Sequence, residues 1–465
     1  MERFEKITEN HSGKTQEYIG LVTLQMRCKK ARDMVALELQ NHIEDQTEAY
    51  EEFGLTHNEA EARAVEQMGD PVEVGTRLDR VHRPKTDFRM IAYIAFLTVA
   101  GMLVQYFMKM SSANMVNPES VIGFGNIANI LFDGLTGFAL MLVVMFVDYS
   151  FLGKHPVAAY AVVILVLFIY PVSDLSFWGR NLAITNLSGL NVIVILLFAA
   201  IVYHYRNNSY KGILICLMWL LAGFITLCRI QGISLAGALS FFATGIVTLS
   251  FAVYKGWFNI KRKSMLIILC AIMIVPPVCA VGALAMGIIG APYQIARVRA
   301  FINPYSDPSG SGYIVTAMRE RLAGLHFIGS SVGEESNNWW YSLSFIMEKY
   351  GIMVGILLIG VLALLFGKML SGVIRQQNRL GGLLGIGAIS YLLVSTILHV
   401  LTSLTLIPAT SAYLPFFTEG TTSTIGCYLL LGVYLSVHRN AMILSERKSI
   451  PKRQLRICIE HVKEE

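Results

Sequence analysis

Two arginines, Arg297 and Arg299, sit two residues apart in a polar, turn-rich stretch (289–341) that interrupts a row of strongly apolar segments. A guanidinium presents a planar fork of donors that suits bidentate contact with phosphate. The pair therefore suits a phosphate-bearing ligand or a partner's acidic patch, and equally suits cationic anchors that snorkel to a membrane surface. Asp307-Pro308, followed by Gly310 and Gly312, is a turn by residue chemistry, and Asp307 either shapes that turn or offers its carboxylate. Glu334 and Glu335 precede Asn337-Asn338-Trp339-Trp340-Tyr341. The acids read as a solvated pair or as proton acceptors, and the aromatic run as an interfacial belt or a platform for stacking a sugar. Glu348 lies at the start of the next apolar segment, where a helix N-terminus favours an acid and where it would also face a substrate. Glu419 stands just before the last apolar segment, among Thr418, Gly420, Thr421 and Thr422. An acid below a membrane interface has to be paired or functional. His399 reads as a packed, hydrogen-bonded histidine. No His/Cys/Asp cluster has metal-ligand spacing, and no cofactor is identified.

The elements that must hold these residues are membrane helices. The chain has 465 residues, 54% hydrophobic and 15% charged, against about a quarter charged in soluble domains. Ten apolar segments are expected at 89–109, 127–148, 156–172, 190–205, 211–227, 233–254, 264–288, 342–367, 380–402 and 423–437. With the N-terminus in the cytoplasm, the short inner loops hold Lys154, Arg206, Lys211, Lys255, Lys261, Arg262, Lys263, Lys368, Arg375 and Arg379, whereas the short outer loops hold only Lys109, Arg180 and Arg229. That bias supports the orientation, with the 289–341 loop outside and both termini inside. The basic tail (441–465) carries Arg447, Lys448, Lys452, Arg453 and Arg456. Seven cysteines without paired spacing read as small core residues. No basic, aromatic-interleaved groove argues for nucleic acid.

Residues 1–85 are acidic and polar, with 18 Asp and Glu against 12 Lys and Arg in 1–87. They carry no cleavable signal, so the first apolar helix is expected to direct insertion. Val35, Leu39, Ile43 and Tyr50 form an amphipathic stripe. Gly54 stops that helix, Thr56 and Glu59 open a second, Gly69-Asp70-Pro71 breaks it, and Val72, Leu78 and Val81 suggest a third. Glu38-Leu39, His42-Ile43-Glu44-Asp45, Gly54-Leu55-Thr56 and above all Gln67-Met68-Gly69-Asp70-Pro71 resemble the permease-prefix (HAAS) domain. The likeness implies a cytoplasmic interaction module for a regulator.

Two further stretches carry a second resemblance. One runs Tyr293-Gln294, Arg297, Arg299, Phe301, Asn303-Pro304, Asp307-Pro308 and Gly310-Ser311-Gly312-Tyr313. The other is Ile407-Pro408-Ala409-Thr410, then Leu414-Pro415-Phe416-Phe417-Thr418-Glu419-Gly420-Thr421-Thr422-Ser423. Placed among ten spans, they resemble the SEDS family (FtsW, RodA, SpoVE). The resemblance implies an all-α integral membrane protein of ten transmembrane helices over 86–440, with a small cytoplasmic helical domain ahead of it, in a bacterial plasma membrane. It further implies peptidoglycan synthesis from a lipid-linked precursor, lipid II, in division, shape control or sporulation, a class B penicillin-binding protein as partner, and room for a divalent cation. Such glycosyl transfer needs a carboxylate to take the acceptor proton and cations near the leaving pyrophosphate.

Here the chain departs from the family. Counting back without gaps from Met347-Glu348-Lys349-Tyr350-Gly351 puts Trp340 where the family's Asp stands, and Glu419 replaces a usual Tyr. Arg180-Asn181-Leu182-Ala183 keeps one arginine of an Arg-Arg-Trp-Ile element. The catalytic candidates are therefore Glu334, Glu335, Glu348 and Asp307. The binding candidates are Arg297, Arg299, Arg180, Glu419, Thr410 and Ser423. A replacement base gives an active transferase; without one, the chain is a scaffold or regulator on the same frame, or a carrier of the lipid precursor.

Overall fold

The computed structural model describes residues 13–116, 124–169, 176–177, 180–181, 190–229, 235–288, 290, 292–306, 310, 312–329 and 341–441. They fall into two compact units, 13–84 and Lys85–Arg439.

The first unit has four helices where three were expected: α1 (Gly13–Leu24), α2 (Lys29–Glu52), α3 (His57–Gln67) and α4 (Pro71–His82). The stripe on α2 buries Val35, Leu39 and Ile43 against Ala64 of α3, and α1 adds Tyr18 and Val22 to that core. Helix α1 escaped notice because its buried face is only Thr15, Tyr18 and Val22. Its Tyr18 hydroxyl donates to the Met68 carbonyl (3.2 Å) at the end of α3. Asp70 caps α4, accepting from the Val72 and Glu73 amides, with Pro71 at the first helical position, where its missing N–H costs nothing. At the head of α3, Glu59 accepts from the Thr56 amide (3.2 Å) and hydroxyl (2.7 Å).

The second unit is a helical bundle. In chain order it contains α5 (Phe88–Val116), α6 (Phe124–Phe146), α7 (Pro156–Ile169), α8 (Leu190–His204), α9 (Ser209–Arg229), α10 (Leu235–Tyr254), α11 (Arg262–Met286), α12 (Pro292–Ile302), α13 (Tyr313–Ala323), α14 (Ser342–Tyr350), α15 (Ile352–Ile374), α16 (Arg379–Ser403) and α17 (Thr421–Arg439). Two two-residue strands, Ser176–Phe177 and Arg180–Asn181, pair antiparallel. Among the described residues seven helices are long and apolar enough to cross a bilayer: α5, α6, α9, α10, α11, α15 and α16. Helices α7 and α8 are apolar but shorter, and α17 opens on a polar turn of threonine and serine.

Helix α16 is the hub: 72% of its apolar window is buried, and it packs on α8, α10, α15 and α17. Its glycines permit this. A Cβ at Gly385 would stand 2.5 Å from Val373 of α15. Small residues let membrane helices approach closely where lipid supplies no hydrophobic drive. Helix α11 is the opposite extreme, with Pro276 and Pro277 inside it and only 11% of its window buried. Cys216 and Cys427 are buried as expected, but Cys228, Cys270 and Cys279 are exposed on helix surfaces rather than in the core.

Two features differ from the sequence reading. The 289–341 stretch is not an unstructured loop, since α12 and α13 lie within it. The expected 342–367 span is split by Gly351 into a buried nine-residue helix, α14, and the membrane-length α15. Gly351 has φ 96°, and a Cβ there would lie 2.7 Å from the Phe327 carbonyl oxygen. The amides of Ile352 and Met353, orphaned at the start of α15, donate to the carbonyls of His326 (3.1 Å) and Phe327 (3.2 Å). The break is thus built by glycine and stitched to the chain segment after α13.

Gly351→Val is expected to lower the thermal midpoint of the detergent-solubilised protein, through roughly 1–3 kcal/mol of backbone strain plus the clash with Phe327. In the first unit, Thr56→Ala should speed amide exchange over residues 57–67 of the full chain, through loss of about 1 kcal/mol of capping. The hydrogen bonds from Thr56 hold the Glu59 carboxyl below its ordinary pKa. Its contribution is therefore present above the usual glutamate range and lost as pH falls through the lowered value, so the wild type and the variant should converge in acid.

Candidate functional site

Buried polar side chains meet where α14, α16 and the non-helical segment 404–420 come together. Tyr341 opens α14. Its hydroxyl donates to the Thr410 carbonyl (2.8 Å), and its ring meets His399 edge-on at 5.5 Å. Burial pushes the Tyr341 phenol up to about 12, against the opposing pull of the Arg297 charge, so the phenol stays neutral at physiological pH. His399, 1% exposed on α16, uses both ring nitrogens. Nδ1 faces the Ala412 carbonyl (3.0 Å), which can only accept, so Nδ1 carries the proton and Nε2 accepts from Ser342 Oγ (3.4 Å). This is the packed, hydrogen-bonded histidine expected.

Glu348 lies on α14 and is only 5% exposed. With Arg321, Tyr341, Ser344, Met318 and Leu325 it lines a narrow cleft between α13 and α14. A buried carboxylate beside an arginine and a neutral phenol has the makings of a proton acceptor. Thr410, in contrast, is consumed by its own loop: its hydroxyl pairs with Thr402 Oγ1 (2.9 Å) and accepts from the Ala412 amide (3.4 Å).

A second narrow cleft opens between α5, α6 and the head of α17. Asp133, Gln105, Thr418, Ser423 and Thr424 supply its polar lining. Asp133 Oδ2 accepts from Thr421 Oγ1 (3.0 Å), and Ser423 Oγ donates to the Gly420 carbonyl (3.0 Å). Beside it Glu419 is paired, its Oε1 2.6 Å from Lys109 Nζ. Thr418 Oγ1, on the wall of this second cleft, lies 3.5 Å from Ser342 Oγ at the start of α14.

The two arginines part company. Arg297 is exposed on α12, 5.9 Å over the Tyr293 ring, and its charge reaches Tyr341. Arg299 instead donates through Nε to the Ala285 carbonyl (3.4 Å), at the end of α11 where Gly287 caps in the left-handed region. A cation at a helix C-terminus complements the macrodipole, so Arg299 is spent on structure. The backbone of Arg180 lies in the small hairpin. Asp307, Glu334, Glu335 and Trp340 lie outside the described residues. Sequence reasoning missed Asp133, Gln105, Lys109 and Arg321. An ionisable residue inside the 127–148 apolar segment was the signal for Asp133. Among the described residues no three of His, Cys, Asp and Glu gather as a metal-binding group.

Tyr341→Phe should leave the Thr410 carbonyl without its donor and cost about 1 kcal/mol, read as a lower thermal midpoint of the full-length protein.

Comparison with known proteins agrees with this architecture. The FtsW/RodA/SpoVE family profile, described as "Cell cycle protein", matches residues 88–443, and the chain belongs to that family. A probable peptidoglycan glycosyltransferase FtsW of Thioalkalivibrio is 25% identical over 177 residues, 36% of this chain and 44% of that protein. Stage V sporulation protein E of Bacillus subtilis is 24% identical over 160 residues, 33% of this chain and 44% of that protein. The matched stretch thus spans less than half the length of these curated relatives. A chain from a peptidoglycan synthase complex, solved for its coordination of polymerization and crosslinking, shares the fold at TM-score 0.55 and 19% identity, covering 77% of this chain and 98% of that one. The rod shape determining protein RodA of Thermus thermophilus does so at TM-score 0.50 and 16% identity, covering 77% and 97%.

Proposed function

We propose that this FtsW/RodA/SpoVE family member is a divergent peptidoglycan glycosyltransferase of the bacterial plasma membrane. It crosses the bilayer ten times with both termini inside, and it works on lipid-linked precursor at the outward-facing Glu348 cleft. The observation that carries the reading is the buried Glu348 carboxylate sharing one cleft with Arg321 and Tyr341. The family membership, and relatives named as probable peptidoglycan glycosyltransferases, supply the substrate class.

In this reading an acceptor sugar hydroxyl attacks the donor's anomeric carbon. The new C–O bond forms as the bond to the pyrophosphate oxygen breaks, and the lipid pyrophosphate leaves with the electron pair. Glu348 takes the hydroxyl proton, a role worth about 10²–10⁴ in rate. Arg321 lines the cleft beside Glu348 and offsets charge that builds on the leaving group, and the Arg297 charge acts on Tyr341 of the same cleft. A class B penicillin-binding protein is the partner that would cross-link the product, and residues 1–85, the HAAS-like prefix, are the docking module for a cytoplasmic regulator.

A second reading has one specific observation in its favour. Trp340 stands where the ungapped count puts the family's Asp, which suits a non-catalytic scaffold on the same frame. Purified full-length protein incubated with lipid II, with and without a class B partner, decides between the two. Glycan polymer is expected from the wild type, with Glu348→Gln slowed about a hundredfold or more at an unchanged thermal midpoint. No polymer at any partner ratio would leave the scaffold reading.

A further inference from the structure

Helix α5 packs on α14 but lends no residue to the lining of the Glu348 cleft, and one face of it is built to hold the 416–419 turn that adjoins the start of α14. Gly101, Gln105 and Lys109 recur every four residues and so share one face of the helix. A Cβ at Gly101 would sit 2.1 Å from the Phe416 carbonyl oxygen, so the two backbones touch. One turn on, Gln105 Nε2 donates to that same carbonyl (3.0 Å) and to the Thr418 carbonyl (3.5 Å). One turn further, Lys109 meets Glu419 at 2.6 Å; the lysine is 19% and the glutamate 58% exposed.

The gripped segment is strained. Phe416 has φ 70°, in the left-handed region that a bulky residue adopts only when its surroundings enforce it. Its ring is held edge-on against Tyr428 at 5.8 Å. The turn so formed sets Thr418, whose hydroxyl accepts from the Leu414 amide (2.8 Å) and lies 3.5 Å from Ser342 Oγ. Ser342 is the first residue of α14, and α14 carries Glu348.

We infer that the Gly101–Gln105–Lys109 face of α5 is a positioning device: it clamps the 416–419 turn and, through Thr418 and Ser342, fixes α14 and Glu348 in working geometry. Gln105, Lys109 and Glu419 are then positioning residues that touch no reacting atom. The inference rests on the transferase reading for its functional consequence and on geometry alone for its structural one.

The test uses the full-length protein in detergent. Lys109→Glu and Glu419→Lys each place like charges together; the double exchange restores the pair with reversed sign. Amide exchange over 342–350 and 413–419 is expected to rise about tenfold in each single variant and to return toward wild type in the double. Lipid II polymerisation should follow, with kcat down about tenfold in the singles, KM changed less than about twofold, and recovery in the double. Unchanged exchange at 342–350 in the single variants overturns the clamp whatever the activity. So does a rise in KM with kcat unaltered, which would make Lys109 a direct ligand of the substrate. Exchange that responds as expected in a protein that polymerises nothing supports the clamp and removes the transferase reading instead.

Discussion

Irregular backbone among membrane helices must find hydrogen-bond partners in the protein, because lipid offers none. Segment 404–420 is the longest non-helical stretch described without a break, and the site depends on how its polar groups are met. The Thr410 carbonyl takes the Tyr341 hydroxyl, the Ala412 carbonyl takes His399 Nδ1, and the carbonyls of Phe416 and Thr418 take the Gln105 amide. The donors come from the entrance to α14, from α16 and from α5. Each bond that satisfies the segment therefore also ties down a different helix, and the ties converge around Ser342. What looks like a capping problem is the joinery of the site.

The same logic explains the divided entry to α15. A continuous helix over 342–367 would have needed no capping partners, but it would have carried Glu348 along the spanning axis. The glycine break lets α14 lie as a separate, buried element whose acid faces α13. The cost is two orphan amides, offset by the carbonyls of His326 and Phe327.

Much of this was legible in the residues, and the boundary is instructive. Apolar run length placed a helix at each of the ten expected positions, because burial in lipid and burial in a core demand the same residue types. The capping chemistry of Thr56, Glu59, Asp70 and Pro71 placed the starts of α3 and α4 to within a residue or two, whereas α1 went unseen. Glu348 could be singled out by its position, but not its burial, since Gly351 reads equally as a helix residue or a break until Phe327 is seen against it. Arg297 and Arg299 were indistinguishable in sequence; only the end of α11 separates the exposed arginine from the capping one. Lys109 and Glu419 are 310 positions apart, and nothing local to either announces the other. Asp133 was legible as an acid inside an apolar run, yet its bond to Thr421 belongs to the packing of α6 on α17, which no local pattern encodes.

Helix α11 adheres to its neighbours along a thin strip, whereas α16 is sheathed by protein on most sides. Its contour is therefore moulded chiefly by acyl chains, and paired prolines leave that contour soft. Its final turn is handed to Arg299, on the same short helix that bears Arg297. The thickness and composition of the surrounding bilayer thus have a direct mechanical lead to the helix that bears Arg297, one that bypasses the rigid hub altogether.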